Sequence, residues 1–235
     1  MSKSEKPTIP ALTGLRFIAA LHVLLLHAAL PLVDGGPPLI RNLIGSGYIG
    51  VSLFFVLSGF ILTYNYLDDG GPRELTTRSF WAARFARVYP VYALGILVWL
   101  PIFYREIAST EAAVLPQLIT GTLVATLLVQ SWYPTSVYFL NPPGWSLSVE
   151  AFFYTMFPVL GRIFKRLNAS KLVIIGVTCW VAGLAVPLWY LVQNPDRVGY
   201  GSAEMKVFWL DAIKFNPLVR LPEFVIGMIA GRFFL

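Results

Sequence analysis

Hydrophobic residues in this chain run in long blocks without alternation, separated by short polar or Pro/Gly-rich breaks. Residues 11–32 form the first block, and about 20 residues at ~1.5 Å each cross the ~30 Å hydrocarbon core of a bilayer. Further blocks are predicted at residues 48–66, 88–103, 113–130, 145–163, 172–192 and 217–235, with a longer polar loop at 193–216. Pro31, Gly35, Gly36, Pro37 and Pro38 end the first block, and Asn141-Pro-Pro-Gly144 precedes the fifth. Segments of this length without period-two alternation do not suggest a β-barrel. The pattern predicts an all-α, polytopic transmembrane bundle of about six or seven apolar segments. It reads as a single domain over residues 1–235, with no appended soluble domain and no internal repeat.

Composition fits that reading. The chain is 57% hydrophobic and 13% charged, against about 25% charged in soluble domains. A net charge of +6 invites a nucleic-acid partner, but the basic residues sit mainly beside apolar blocks, as the positive-inside rule produces. The expected partner is the lipid bilayer, not nucleic acid. Lys3, Lys6 and Arg16 flank the first block and predict a cytoplasmic N-terminus. No small-residue cleavage site closes that block, so it reads as a retained span and not a signal peptide. Residues 68–87, with Arg73, Arg78, Arg84 and Arg87, and residues 162–171, with Arg162, Lys165, Arg166 and Lys171, are both expected in the cytoplasm. Three blocks lie between them, an odd number. Either one block is re-entrant or interfacial, or one basic segment breaks the rule; residues 113–130, with Thr120, Gly121, Thr122 and Thr126, are the least apolar. The single cysteine, Cys179, excludes an intrachain disulfide and reads as a small core residue.

Ionisable residues inside spans are costly and by default mark function. Arg16 and His27 are eleven residues apart, about 1100° of rotation, which returns them to within about 20° of one face, roughly 16 Å apart along the axis. His22 lies about 140° from His27 and faces elsewhere. The plainer alternative is a snorkelling Arg16 and a satisfied His27. Arg84 and Arg87, three apart on one helix face, could grip phosphates with two guanidinium forks, or simply anchor the chain. Glu150 lies near the first turn of its helix, where the dipole favours a carboxylate. It shares a face with Tyr154 in an otherwise apolar segment, so it needs a partner. Trp145 reads as an interface aromatic or a stacking platform. Arg220 and Glu223 are three apart and can pair; Gly227 and Gly231, like Ser58-Gly59, suit close helix packing, with Ser58 as a candidate hydroxyl. Two histidines on different faces and few carboxylates predict no metal site.

Five motifs occur in order: Arg16-x10-His27, Phe54-Phe-Val-Leu-Ser-Gly-Phe60, Arg84-x-x-Arg-Val-Tyr-Pro90, Trp145-Ser-Leu-x-x-Glu150 and Arg220-x-Pro-Glu-Phe224-x-x-Gly227. In this order they resemble the acyltransferase 3 family of bacterial-type membrane O-acyltransferases. The resemblance implies a fold of about ten spans, of which this chain matches the N-terminal two-thirds, an incomplete version. It also implies an acyl-CoA donor, acetyl-CoA foremost, and a hydroxyl of a cell-surface, secreted or lipid-linked carbohydrate as acceptor, in the inner membrane. On that basis His27 is the expected general base or acyl/proton relay, Arg16 the group that orients the thioester or stabilises developing charge, and Glu150 the residue that orients His27 or holds Arg16. Arg84 and Arg87 would recruit the CoA phosphates, and Trp145, Ser58, Arg220 and Glu223 would line the substrate site. The rival reading is a polytopic transporter with an Arg16/His27/Glu150 proton or anion path; a third is a non-catalytic scaffold subunit.

Overall fold

The computed structural model describes residue 7 and residues 9–33, 35–67, 76–108, 115–197 and 207–235. Among them are the helices α1 (Pro10–Ala28), α2 (Pro38–Gly45), α3 (Ile49–Tyr66), α4 (Thr77–Ala108), α5 (Leu115–Thr126), α6 (Trp145–Lys165), α7 (Ala169–Gln193), α8 (Phe208–Phe215) and α9 (Pro217–Phe234), with no strand. Lys3, Lys6 and Arg73, used above for orientation, lie outside the described residues.

Among the described residues, five stretches are long and apolar enough to cross a membrane: Pro10–Ala28, Pro38–Tyr66, Thr77–Phe103, Pro142–Lys165 and Ala169–Gln193. Large apolar side chains stand exposed along them, Phe17 at 67% and Val91 at 70%, as suits a protein whose solvent is lipid. This is an all-helical, multi-pass membrane protein.

Two predicted blocks fall outside that group. α9 has 18 residues but carries Arg220, Glu223 and Arg232. α5 has 12 residues, a rise of ~18 Å that falls short of the ~30 Å core. The chain then turns through short 3-10 helices at Gln130–Trp132, Pro134–Ser136 and Pro142–Gly144. Among the described residues between the two basic segments, the helices of spanning length are α4 and α6, an even number.

α4 begins earlier than the hydrophobic pattern predicts. Thr76 Oγ1 accepts the Ser79 N–H at 3.3 Å, a cap for the first turn. Arg78, Arg84 and Arg87 are therefore helical, interleaved with Phe80, which is buried and stacks on Phe157 at 5.3 Å. The expected polar loop at 193–216 contains α8. Asp196 caps it from a distance, accepting the N–H groups of Trp209 at 3.1 Å and Leu210 at 2.8 Å.

The chain divides into two compact units: Met1–Arg73, Gly161–Trp180 and Pro222–Leu235 form the first, Glu74–Leu160 and Val181–Leu221 the second. In the first, glycines bring helix backbones into contact on two sides of α3. Against α1, a Cβ on Gly47 would lie 2.5 Å from the His22 carbonyl oxygen, and one on Gly50 would lie 2.8 Å from that of Ala19. Against α9, a Cβ on Gly59 would strike the Phe224 carbonyl oxygen, and one on Gly227 the Val56 carbonyl oxygen. Close packing through small residues drives helix association in lipid, where burial of apolar surface supplies no force.

In the second unit the irregular segment after α5 settles on α4. A Cβ on Gly95 would lie 2.8 Å from Asn141 Nδ2, and one on Gly144 would lie 2.6 Å from the Tyr92 ring. Non-helical backbone is tolerated in a membrane protein only where its polar groups find partners. Here Tyr92 Oη donates to the Ala125 carbonyl at 2.6 Å and accepts from Gln130 Nε2 at 3.1 Å. Ser131 Oγ donates to the Trp145 carbonyl at 2.7 Å. α5 ends in a Schellman turn, with Val129 N–H on Val124 O at 2.9 Å and Leu128 N–H on Ala125 O at 3.0 Å. The residue at its left-handed position is Leu128, φ 60°, where glycine is usual.

Candidate active site

In the first unit, α1 carries Arg16, His22 and His27 on one unbroken helix. The two histidines use opposite ring nitrogens. His22 Nε2 donates to the Leu43 carbonyl at 2.7 Å, with Ser46 Oγ 3.4 Å away. It fastens the end of α2 to α1, a structural task. His27 is exposed, and its Nδ1 donates to the Val23 carbonyl, one turn back, at 2.8 Å. A carbonyl oxygen only accepts, so Nδ1 is the donor, and in the neutral ring Nε2 is then the nitrogen that carries the lone pair. Arg16 is half-buried, three turns away, and a helical side chain leans toward its own N-terminus. It does not share an atom-sized site with His27.

Ser58 is buried in α3 beside Gly59 at the contact with α9. Glu223 of α9 accepts from Ser52 Oγ of α3 at 2.9 Å. Both belong to the packing of these helices.

In the second unit, two candidate residues, Glu150 and Arg84, converge on Tyr154. Its hydroxyl donates to Glu150 Oε1 in a short hydrogen bond. The Arg84 guanidinium lies 6.0 Å from the Tyr154 ring centroid and 5.7 Å from that of Phe80. Arg84 is half-buried and Arg87, one turn on, is exposed. Trp145 and Arg220 also meet: the guanidinium lies 6.0 Å from the indole centroid, and its Nε donates to the Lys214 carbonyl at 2.7 Å. Trp145 packs edge-on to Phe215 at 4.6 Å. Among the described residues no group of three or more His, Cys, Asp or Glu side chains gathers as a metal site.

Two residues the sequence reading passed over adjoin this cluster. Asp211 is 5% exposed and accepts the Tyr138 hydroxyl at 2.9 Å, while the Tyr138 ring packs on Phe215 at 5.3 Å. Burial, and next the hydrogen bond to Asp211, raise the Tyr138 pKa above its ordinary value. A carboxylate within the apolar run Phe208-Trp-Leu-Asp-Ala-Ile213 was the available signal.

The family model described as "Acyltransferase domain", Acyl_transf_3, matches residues 9–235. The chain belongs to the acyltransferase 3 family. Among its relatives, Acyltransferase MdmB of Streptomyces mycarofaciens is 32% identical over 94% of this chain and 56% of its own length. The putative peptidoglycan O-acetyltransferase YrhL of Bacillus subtilis is 30% identical over 83% of this chain and 31% of its own. The peptidoglycan O-acetyltransferase OatA of Listeria monocytogenes is 26% identical over 86% and 32%. The chain thus spans about half, or a third, of these acyltransferase 3 relatives. No solved structure matches it.

Proposed function

We propose that this acyltransferase 3 chain takes part in moving an acyl group, acetyl foremost, from acyl-CoA to a carbohydrate hydroxyl, free or lipid-linked. The observation that carries this reading is the His27 Nδ1 contact with the Val23 carbonyl. With Nδ1–H committed to Val23, Nε2 is the acceptor a general base requires. The acceptor hydroxyl gives its proton to Nε2 as its oxygen attacks the thioester carbonyl. The tetrahedral intermediate then expels the CoA thiolate, which takes the proton from the imidazolium. No acyl-enzyme is needed.

Arg16, about 16 Å along α1 from His27, holds the donor away from the reacting carbonyl. Glu150, fixed by Tyr154, acts as a positioning carboxylate; Val23 already sets the imidazole tautomer. The exposed Arg87 contacts the donor's phosphates. Trp145 and Arg220, already in contact, offer a ring face and a cation to the sugar. The basic ends of α4 and α6, with the N-terminus, lie on the cytoplasmic side of the inner membrane. The named activities of YrhL and OatA support acetyl transfer to a carbohydrate.

The test is CoA release from acetyl-CoA by the reconstituted protein. Loss in His27→Ala, Arg16→Ala and Arg87→Ala is expected, with His22→Ala active per folded molecule. Unchanged release in His27→Ala would overturn the base assignment, and CoA-independent solute flux would restore the transporter.

A further inference from the structure

A cleft of about 490 Å³ opens within the second unit, between α4, α6 and the end of α5. Its α4 wall is one helix face, Trp81, Arg84, Phe85, Val88 and Tyr89, a rise of ~12 Å. Ala151, Tyr154 and Thr155 of α6 form the opposite wall. Three of the wall's hydrogen-bonding groups are engaged within the protein. Trp81 Nε1 donates to the Tyr154 carbonyl at 3.1 Å, Tyr89 Oη to the Thr126 carbonyl at 3.1 Å, and Thr155 Oγ1 to the Ala151 carbonyl at 3.0 Å. The wall left for a ligand is mostly hydrocarbon, and Arg84 lines it beside Trp81 and Phe85.

We propose that this cleft binds an anionic phospholipid of the bilayer, one acyl chain along the α4–α6 groove and the phosphate on Arg84. Three observations favour that occupant. The cleft sits where the basic stretch of α4 passes into its apolar run, the level at which headgroups meet hydrocarbon, and basic pockets between transmembrane helices there take anionic headgroups. Its rim is open, Phe85 being 61% exposed and Leu127 69%. Its lining also discriminates. An amide-bearing arm such as pantetheine, or a sugar, would lose hydrogen bonds to water and gain few here, whereas a lipid carries phosphate and hydrocarbon in immediate succession. Trp81 and Tyr89 match the aromatic belt of membrane interfaces. The inference stands on the cleft and not on the acyl-CoA reading.

Native mass spectrometry of the full chain, released from nanodiscs holding equal phosphatidylglycerol and phosphatidylcholine of identical chains, tests it. The wild type is expected to retain one phosphatidylglycerol in preference to phosphatidylcholine by about five-fold, the effect of one interfacial arginine. Arg84→Gln should erase the preference, and Ala151→Phe, which fills the groove, should lower retention of both lipids. Equal retention of the two lipids by the wild type overturns the proposal without recourse to any variant. So does displacement of the bound lipid by acetyl-CoA, which would assign the cleft to the donor.

Discussion

Gly59 of α3 and Gly227 of α9 are reciprocal: each lies against the carbonyl oxygen of the residue three positions before the other, Phe224 for Gly59 and Val56 for Gly227. A methyl group at either place meets backbone, which cannot swing aside as a side chain can. Gly59→Ala and Gly227→Ala should each destabilise the protein by about 3 kcal/mol, the upper part of the overpacking range. Gly14, also helical, has nothing within 4 Å of its would-be Cβ. Gly14→Ala should instead stabilise by about 0.5–1 kcal/mol. Thermal unfolding in detergent would show the opposite signs.

Removing the proposed base should cost rate and leave binding. His27→Ala is expected to lower kcat by about 10²–10⁴-fold while KM changes little. Imidazole added to the medium should restore part of the rate, because the vacancy is exposed. A fall in kcat/KM through KM alone would give His27 a binding role.

Leu128 closes α5 in a conformation that β-branched side chains adopt with most difficulty. Leu128→Ile keeps volume and composition and should still destabilise by about 1–2 kcal/mol. The same exchange at the neighbouring Leu127, a control without the positive φ, should be nearly neutral. Equal melting shifts for the two variants would remove the strain argument.

Tyr138 supplies a pH dependence. Its pKa is raised in the folded protein by burial and by Asp211, so folding favours the protonated phenol. That contribution is complete below the ordinary tyrosine pKa of about 10 and fades as pH rises beyond it. Wild type should therefore be more stable than Tyr138→Phe at neutral pH, and the gap should narrow above about pH 10. A gap that widens with alkalinity would contradict the assignment.

Much of this was legible in the sequence because spans announce themselves by length. The four-residue spacing of Glu150 and Tyr154 puts them on one face, where the structure shows them hydrogen-bonded. The length of α5 was not legible: apolar residues run on to Val129, and the chain turns at Leu128 without the glycine that usually marks such a stop. The start of α4 was masked for the opposite reason. Arg78 reads as part of a polar stretch, with Arg84 and Arg87 on a helix face only at the entrance to the span, until Phe80 is seen buried against Phe157. α8 escaped because its cap, Asp196, comes from well upstream and only the fold brings it there. The meeting of Trp145 with Arg220 is likewise long-range, and spacing along one helix cannot report it.

With two histidines in 235 residues, one bonded through Nε2 to Leu43 and the other through Nδ1 to Val23, the chain carries a built-in pair of spectroscopic reporters. Nitrogen-15 labelling of histidine alone would give two ring patterns of opposite type, assignable without mutation. Any ligand, inhibitor or lipid that disturbs α1 would then register as a change in one pattern while the other serves as the internal reference.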